Sequence, residues 1–277
     1  MKQQKRRMYR FECRRFLKSP LFWSTVLVGV AIGLPETFRQ AVIMLQGAGM
    51  DSEGQYYGIY TAYSLWMGTT TAWSASQTIF FYLIPLLAAT PYALSYLSDR
   101  RSGYIRTLAL RTGKKTYYRA KFLAVFLAGG LAIALPLLVN FFLTTLYAPL
   151  LTPDPYSIIT VNYTNATAVL YYKAPLLFVL FGLLVDFVYG GLMATFCLGM
   201  AQLTDFVLTV WISPLLITLA VNYVVTAYAA WNWLPNSYLI AGSFDNHSLL
   251  PMVVEMAVLF GVNWLLFYGW GSRRDLI

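Results

Sequence analysis

The strongest constraint on this chain is the way its positive charge is sorted. Of 20 Lys and Arg residues, 18 fall into three blocks that flank apolar stretches. The first block is Lys2, Lys5, Arg6, Arg7, Arg10, Arg14, Arg15 and Lys18. The second is Arg100, Arg101, Arg106, Arg111, Lys114, Lys115, Arg119 and Lys121, and Arg273 with Arg274 form the third. Only Arg39 and Lys173 lie elsewhere. Six mainly apolar stretches run near residues 20–45, 74–98, 120–147, 174–201, 206–229 and 251–270. About 20 apolar residues in a helix cross the hydrocarbon layer of a bilayer, and segments rich in Lys and Arg stay on the cytoplasmic side during insertion. An even number of spans puts both termini on one side, and the charges make that side the cytoplasm. The expected fold is all-α: a single polytopic membrane domain over 1–277 with six transmembrane helices. Segments 46–73, 148–173 and 230–250 then lie outside, and 99–119 is the one sizeable internal loop. The short turn 202–205 makes spans four and five an antiparallel hairpin.

Composition excludes most other classes. The chain is 58% hydrophobic and 11% charged, with mean hydropathy +0.59, whereas soluble domains carry about 25% charged residues. Its net charge of +9 does not point to nucleic acid, because the cations flank apolar spans. An anionic inner leaflet or a cytoplasmic protein suits them better. Cys13 and Cys197 fall in different environments, so no disulfide is expected. The one histidine, His247, leaves no HExxH zinc site, and there is no GxSxG nucleophile elbow. Gly113-Lys114 is not a P-loop, because Gly103 is out of step and Lys115 stands where Ser or Thr is needed. No cofactor or metal is therefore expected in this chain, and ATP-driven work would need ATP and Mg on a separate ATPase. The basic start followed by Leu21–Leu34 also resembles a signal peptide, but the apolar run continues toward Leu45, which favours a retained anchor.

The polar and small residues give finer expectations. Tyr9, Cys13, Phe16 and Leu17 share one helical face, and Arg7, Arg10, Arg14 and Lys18 the opposite one. Residues 2–19 therefore read as an amphipathic helix lying at the membrane surface, turned into span one by Ser19-Pro20. Within 99–119, Ile105, Leu108 and Ala109 form a small apolar ridge among Arg101, Arg106 and Arg111, with Gly113 as a stop. That ridge suits docking onto a protein; the plainer alternative is a solvated loop that only sets orientation. Asp186 lies mid-span, where a carboxylate is costly unless paired or protonated, so it either faces a pathway or is hydrogen-bonded between helices. Glu36 and Arg39 are spaced to pair. Gly29 and Gly33, and the ridge Gly191, Thr195 and Gly199, allow close helix packing. Pro85, Pro91, Pro136 and Pro214 are expected to kink their spans. Trp66, Trp73, Trp231 and Trp233 suit the outer headgroup level.

Two stretches resemble the ABC-2 type permeases, the membrane subunits of many bacterial ABC exporters. One is Glu12, Arg14-Arg15, Lys18-Ser19-Pro20 and Phe22. The other is Asp99-Arg100-Arg101-Ser102-Gly103-Tyr104-Ile105, Leu108, Leu110, Arg111, Lys114-Lys115 and Arg119-Ala120-Lys121. The six-span layout fits as well, although 46–73 matches no pattern of that family. The resemblance implies a multi-pass protein of a bacterial cell membrane that pairs with a second permease, in a homodimer or heterodimer. Residues 2–19 would be its connecting helix. Residues 100–113 would be its coupling helix, with Arg101, Tyr104, Ile105, Arg106, Leu108 and Arg111 against a cytoplasmic ABC ATPase. Asp186, Glu36 and Arg39 are the pathway candidates. The alternative is a non-transporting membrane anchor or regulatory scaffold. A Walker A ATPase in the neighbouring reading frame would favour the exporter, and a sensor or structural gene the scaffold.

Overall fold

The computed structural model describes residues 2–45, 60–69, 74–105, 107–108, 113–155, 161–243 and 248–271. Among them there is no strand, and the chain is an all-α membrane protein. Five helical segments are long and apolar enough to cross a bilayer. They are α2 (Pro20–Leu45), α6 (Lys114–Thr144), α8 (Pro175–Leu203), α9 (Val207–Ala227), and α11 (Leu250–Trp264) with the π-helical turn Leu265–Trp270 that continues it. At 1.5 Å per residue the 31 residues of α6 reach about 46 Å.

The second expected span is interrupted. Helix α4 (Ala75–Ala89) has 15 residues, turns occupy 90–94, and α5 (Ser95–Arg101) resumes the path. Pro91 is the local cause, since it has no N–H for the helical ladder. The break buries Tyr92 and Ala93. Helix α6 begins six residues earlier than the expected 120. Its start is set by Gly113, whose φ of +83° only glycine adopts readily, and nothing after Gly113 breaks the helix.

The core pairing is α6 against α8, and glycines make it close. A Cβ on Gly130 would stand 2.5 Å from the Phe187 carbonyl oxygen, and one on Gly191 2.8 Å from that of Phe126. Gly129 and Gly190 meet on the same contact. Membrane helices gain little from the hydrophobic effect, so such close backbone approach supplies the packing energy instead. Gly29 of α2 is pressed on Pro136 of α6, where an added Cβ would come within 2.6 Å; Gly33 has ordinary room beside Met67. The expected hairpin forms as α8 and α9, joined by 204–206.

The amphipathic helix is α1 (Lys2–Leu17), but its buried stripe differs from the expected one. Met8, Glu12 and Phe16 are buried, Tyr9 and Cys13 half-buried, and Leu17 exposed. The inward face therefore carries an acidic residue that apolar periodicity passes over.

The segment around Trp66 also departs from expectation. Residues 61–69 are buried, with the short helix α3 (Ala62–Leu65) capped by Thr61. The Trp66 indole donates to the Leu137 carbonyl at 3.1 Å. The Met67 N–H donates to Asn140 Oδ1 at 3.1 Å, and Gln77 donates to the Met67 carbonyl at 2.9 Å. The Ala241 N–H closes the set on the Gly68 carbonyl at 2.9 Å. These partners let irregular backbone enter the bundle, since the peptide groups of Met67 and Gly68 that they bind have left water and need a donor or acceptor. Trp66 is thus a core residue rather than a headgroup anchor. Trp231 and Trp233 are half-exposed at 49% and 41%, in keeping with an interfacial place. Trp73 and all of 46–59 lie outside the described residues.

Candidate functional site

Four charged side chains converge at the basic end: Glu12 and Arg15 from α1, Asp99 from α5 and Lys121 from α6. Lys121, in the second turn of α6, is fully buried. Its ammonium donates to Asp99 Oδ2 at 2.7 Å and to Glu12 Oε2 at 3.3 Å, and it stands 4.5 Å from the Tyr92 ring centre. Asp99, near the end of α5, also takes both arms of the Arg15 guanidinium, at 2.8 and 3.0 Å. The Tyr117 hydroxyl adds a third donor to Asp99 at 3.3 Å, and Tyr92 donates to Glu12 at 2.5 Å.

Two carboxylates and two cations make a set with no net charge. That balance matters because an isolated charge in such a place costs several kcal/mol, and only good geometry with additional hydrogen bonds offsets it. The bidentate Arg15–Asp99 fork is the strong form of such a pair. Burial lowers the pKa of Arg15, but the hydrogen bond and charge of Asp99 outweigh it and hold the guanidinium above its ordinary range. Next to it, burial and then the charge of Glu12 raise the Cys13 thiol.

The same end is fastened to the α8–α9 hairpin. Arg100 donates to the Ala201 carbonyl at 3.1 Å and pairs with Asp205 at 3.0 Å. Arg101 donates to the Asp205 carbonyl at 2.6 Å. Gln202 donates to the Tyr96 hydroxyl at 2.7 Å. Phe267, from the π-helical turn, packs on Tyr96 and Tyr118 with ring centres 5.1 and 5.0 Å apart. The amphipathic helix, the α4–α5 break, the root of α6, the α8–α9 turn and the last helix are thereby joined in one polar and aromatic knot.

The residues expected to meet an ATPase are spread around this knot. Ile105 is 3% exposed; it serves the chain's own core and offers no surface to a partner. Leu108 is half-buried at the edge of that core. Tyr104 is half-buried under the Arg15 guanidinium, 5.8 Å from its ring centre, and burial raises its hydroxyl pKa. Arg101 is exposed and holds the hairpin. Arg106 and Arg111 lie outside the described residues.

The membrane-embedded candidates divide sharply. Glu36 accepts from Arg39 at 2.7 Å and from Gln40 at 2.8 Å, so this pair is satisfied locally. Asp186 is fully buried, and neither carboxylate oxygen has a hydrogen-bond partner among the described residues. It lies on the α8 face between Gly182, which abuts the Trp66 ring, and Gly190, which abuts Ile133. Among the described residues, then, no neighbouring helix supplies the hydrogen bond that the second reading of Asp186 calls for.

Sequence reasoning noted Glu12, Asp99 and Lys121 only as parts of a pattern, not as a site. A usable signal was present: Glu12 is the one acidic residue of a helix rich in cations, Asp99 directly precedes Arg100-Arg101, and Lys121 opens the apolar run of α6. An acid or base isolated among its opposites, at the edge of an apolar span, is a candidate for a buried pair. Comparison with known proteins adds no relative to these observations: no family model, no curated protein and no solved structure matches this chain.

Proposed function

We propose that the chain is the membrane-spanning permease subunit of an ATP-driven exporter of the ABC-2 type, multi-pass in a bacterial cell membrane with both termini in the cytoplasm. It works as a dimer, with a second copy or a related permease, and is driven by a separate cytoplasmic ABC ATPase that binds ATP and Mg. The observation that carries this reading is the Glu12–Lys121–Asp99–Arg15 cluster. It ties together the two stretches that resemble the family, which are 109 residues apart between Glu12 and Lys121.

A push on the loop around Leu108 reaches Asp99 through α5 and Lys121 through the root of α6. Lys121 and Arg15 pass it to the amphipathic helix, and Arg100 and Arg101 pass it to the α8–α9 hairpin. Because α6 is one helix from end to end and locks glycine-to-glycine onto α8, the displacement travels as a rigid-body tilt rather than as local bending. Asp186 lies on the locked α8 face, and in this reading it is the group that meets a cationic part of the cargo.

The test uses the full-length tagged chain purified from its native membrane. An ATPase subunit with a Walker A motif is expected to co-purify, bringing ATP hydrolysis with it. Leu108→Asp places a charge in the proposed contact, so association is expected to fall about 10- to 100-fold while membrane insertion is kept, in line with the cost of an unpaired buried charge. A wild-type preparation that carries no ATPase would leave the non-transporting scaffold as the better reading. Unchanged association of Leu108→Asp would move the docking surface elsewhere.

A further inference from the structure

A groove of about 580 Å³ opens on the flank of the bundle between α6, α8, α11 and the amphipathic helix. Phe122, Phe126, Leu192, Phe260 and Trp264 form its walls. Its aromatic side is a ladder: Phe260 stacks on Trp264, and Trp264 on Tyr268, with the latter ring centres 4.6 Å apart. The ladder is topped by Arg119, whose guanidinium stands 5.1 Å from the Tyr268 ring centre. Arg119 itself lines the groove, beside Tyr9 of the amphipathic helix.

The polarity of this groove runs in one direction. On α6, Lys115 and Arg119 are one turn apart and both exposed. Among the described residues neither has a carboxylate within ion-pair distance. Phe122 and Phe126 follow on the same helix, so the lining is cationic at its mouth and apolar within. From Arg119 to Phe126 the groove descends about 10 Å along α6, a distance within the half-thickness of the hydrocarbon layer. A cationic mouth above an apolar slot that stays within one leaflet is complementary to one kind of molecule, an amphiphile with an anionic head and a hydrocarbon tail. Basic pockets between membrane helices at the headgroup level bind such heads.

We propose that this groove is a binding site for an anionic diacyl phospholipid of the leaflet on the basic side. Its phosphate sits between Arg119 and Lys115, and one acyl chain runs along the Phe122–Trp264 wall. The bound lipid bridges the amphipathic helix, through Tyr9, to α6 and α11, and fills the groove between them. The inference uses only this face and does not depend on the transport reading.

The test reads tryptophan quenching by brominated acyl chains. The full chain is placed in nanodiscs containing either dibrominated phosphatidylglycerol or dibrominated phosphatidylcholine at equal mole fraction. The share of Trp264 is the difference between the wild-type signal and that of Trp264→Phe. Quenching of Trp264 is expected to need about fivefold less phosphatidylglycerol than phosphatidylcholine for each cation engaged. That preference is expected to vanish in Arg119→Gln/Lys115→Gln and to shrink in the wild type at high salt. Equal quenching by the two lipids would reduce the groove to ordinary lipid contact and overturn the proposal. So would a preference that survives loss of both cations. Absence of Trp264 quenching by either lipid, with the chain dimeric in the disc, would assign the groove to a second copy and overturn it as well.

Discussion

Glu12 and Asp186 are both carboxylates with no exposed surface, yet their surroundings are opposite. Through Oε2, Glu12 shares Lys121 with Asp99 and takes a hydrogen bond from Tyr92, while its Oε1 has no partner among the described residues. Asp186 has nothing within hydrogen-bond reach among the described residues. The first arrangement makes sense as a joint. A neutral set of two acids and two bases has one good geometry, and any displacement that separates the partners exposes buried charge. The second makes no sense as a joint, because an unpartnered carboxylate contributes no attraction and burdens the fold. A residue that only burdens the fold is the place to look for function, and that contrast is why the transport reading places cargo at Asp186 and mechanics at Glu12.

The contrast is open to direct attack, beginning where the effect is largest. Lys121→Met keeps much of the side-chain length but leaves Glu12 and Asp99 buried without their shared cation. We expect a loss of about 3–5 kcal/mol, seen as a collapse in the yield and thermal midpoint of the detergent-solubilised chain. Adding Glu12→Gln is expected to recover part of that loss, because Asp99 keeps Arg15 and the one charge left without a cation is then gone. Near wild-type stability of Lys121→Met would mean that the cluster is not a joint, and the comparison would break.

Asp186→Asn is expected to behave in the opposite way. It removes the charge while keeping the shape, so stability should hold or rise by roughly 1 kcal/mol, within the range of a relieved polar burden. In the transport reading, transport and any cargo stimulation of a co-purifying ATPase should fall. Wild-type transport by the Asn variant would return Asp186 to a structural role. A strongly destabilised variant would show that the carboxylate has a partner the comparison has missed.

A smaller effect sharpens the middle ground. Glu36 is buried and Arg39 is 44% exposed, and Gln40 also donates to Glu36. Arg39→Ala is therefore expected to cost about 1 kcal/mol or less, as for half-exposed pairs. The same thermal assay checks it; a loss approaching that of Lys121→Met would show that the far-end pair carries as much weight as the joint.

The smallest effect concerns Cys13. Burial and the charge of Glu12 raise its thiol pKa, so less thiolate is present at neutral pH than in a free cysteine, and the thiolate is the reactive form. Maleimide labelling of Cys13 near pH 7.5 is expected to be several-fold slower than that of a free thiol, and to quicken in Glu12→Gln as the neighbouring negative charge is removed. For stability the sign is negative with rising pH. A folded pKa above the unfolded one means that the unfolded chain releases its proton first, so the contribution of Cys13 falls as pH passes the unfolded thiol value.

Much of the architecture was legible before any coordinates, because it rests on quantities that add along the chain. A run of apolar residues is long enough for a span or it is not, and the α2, α8, α9 and α11 segments lie within a few residues of their expected bounds. The Glu36–Arg39 pair was legible for the same reason: partners one turn apart on a helix meet whatever the rest of the fold does. Local chemistry also accounts in hindsight for the break after α4 and the early start of α6. Pro91 and Gly113 were each noted, but as a kink and a stop, without the weight that decides between a bend and an end.

Hydropathy and charge act residue by residue, so the membrane class, the helices and the basic end of the bundle are written along the chain. Packing between distant segments settled which charges meet. Lys121 meets Glu12 and Asp99 because α1 packs along α6, and because α5, resuming beyond the turn at 90–94, carries Asp99 to the root of α6. It also decided that Trp66 is core, for that depends on distant partners, Leu137, Asn140 and Ala241, taking up the backbone and indole groups of an irregular segment. The solitude of Asp186 is of the same kind. Whether a buried carboxylate is paired is a property of every helix packed against it, and no stretch of its own sequence records what the others bring.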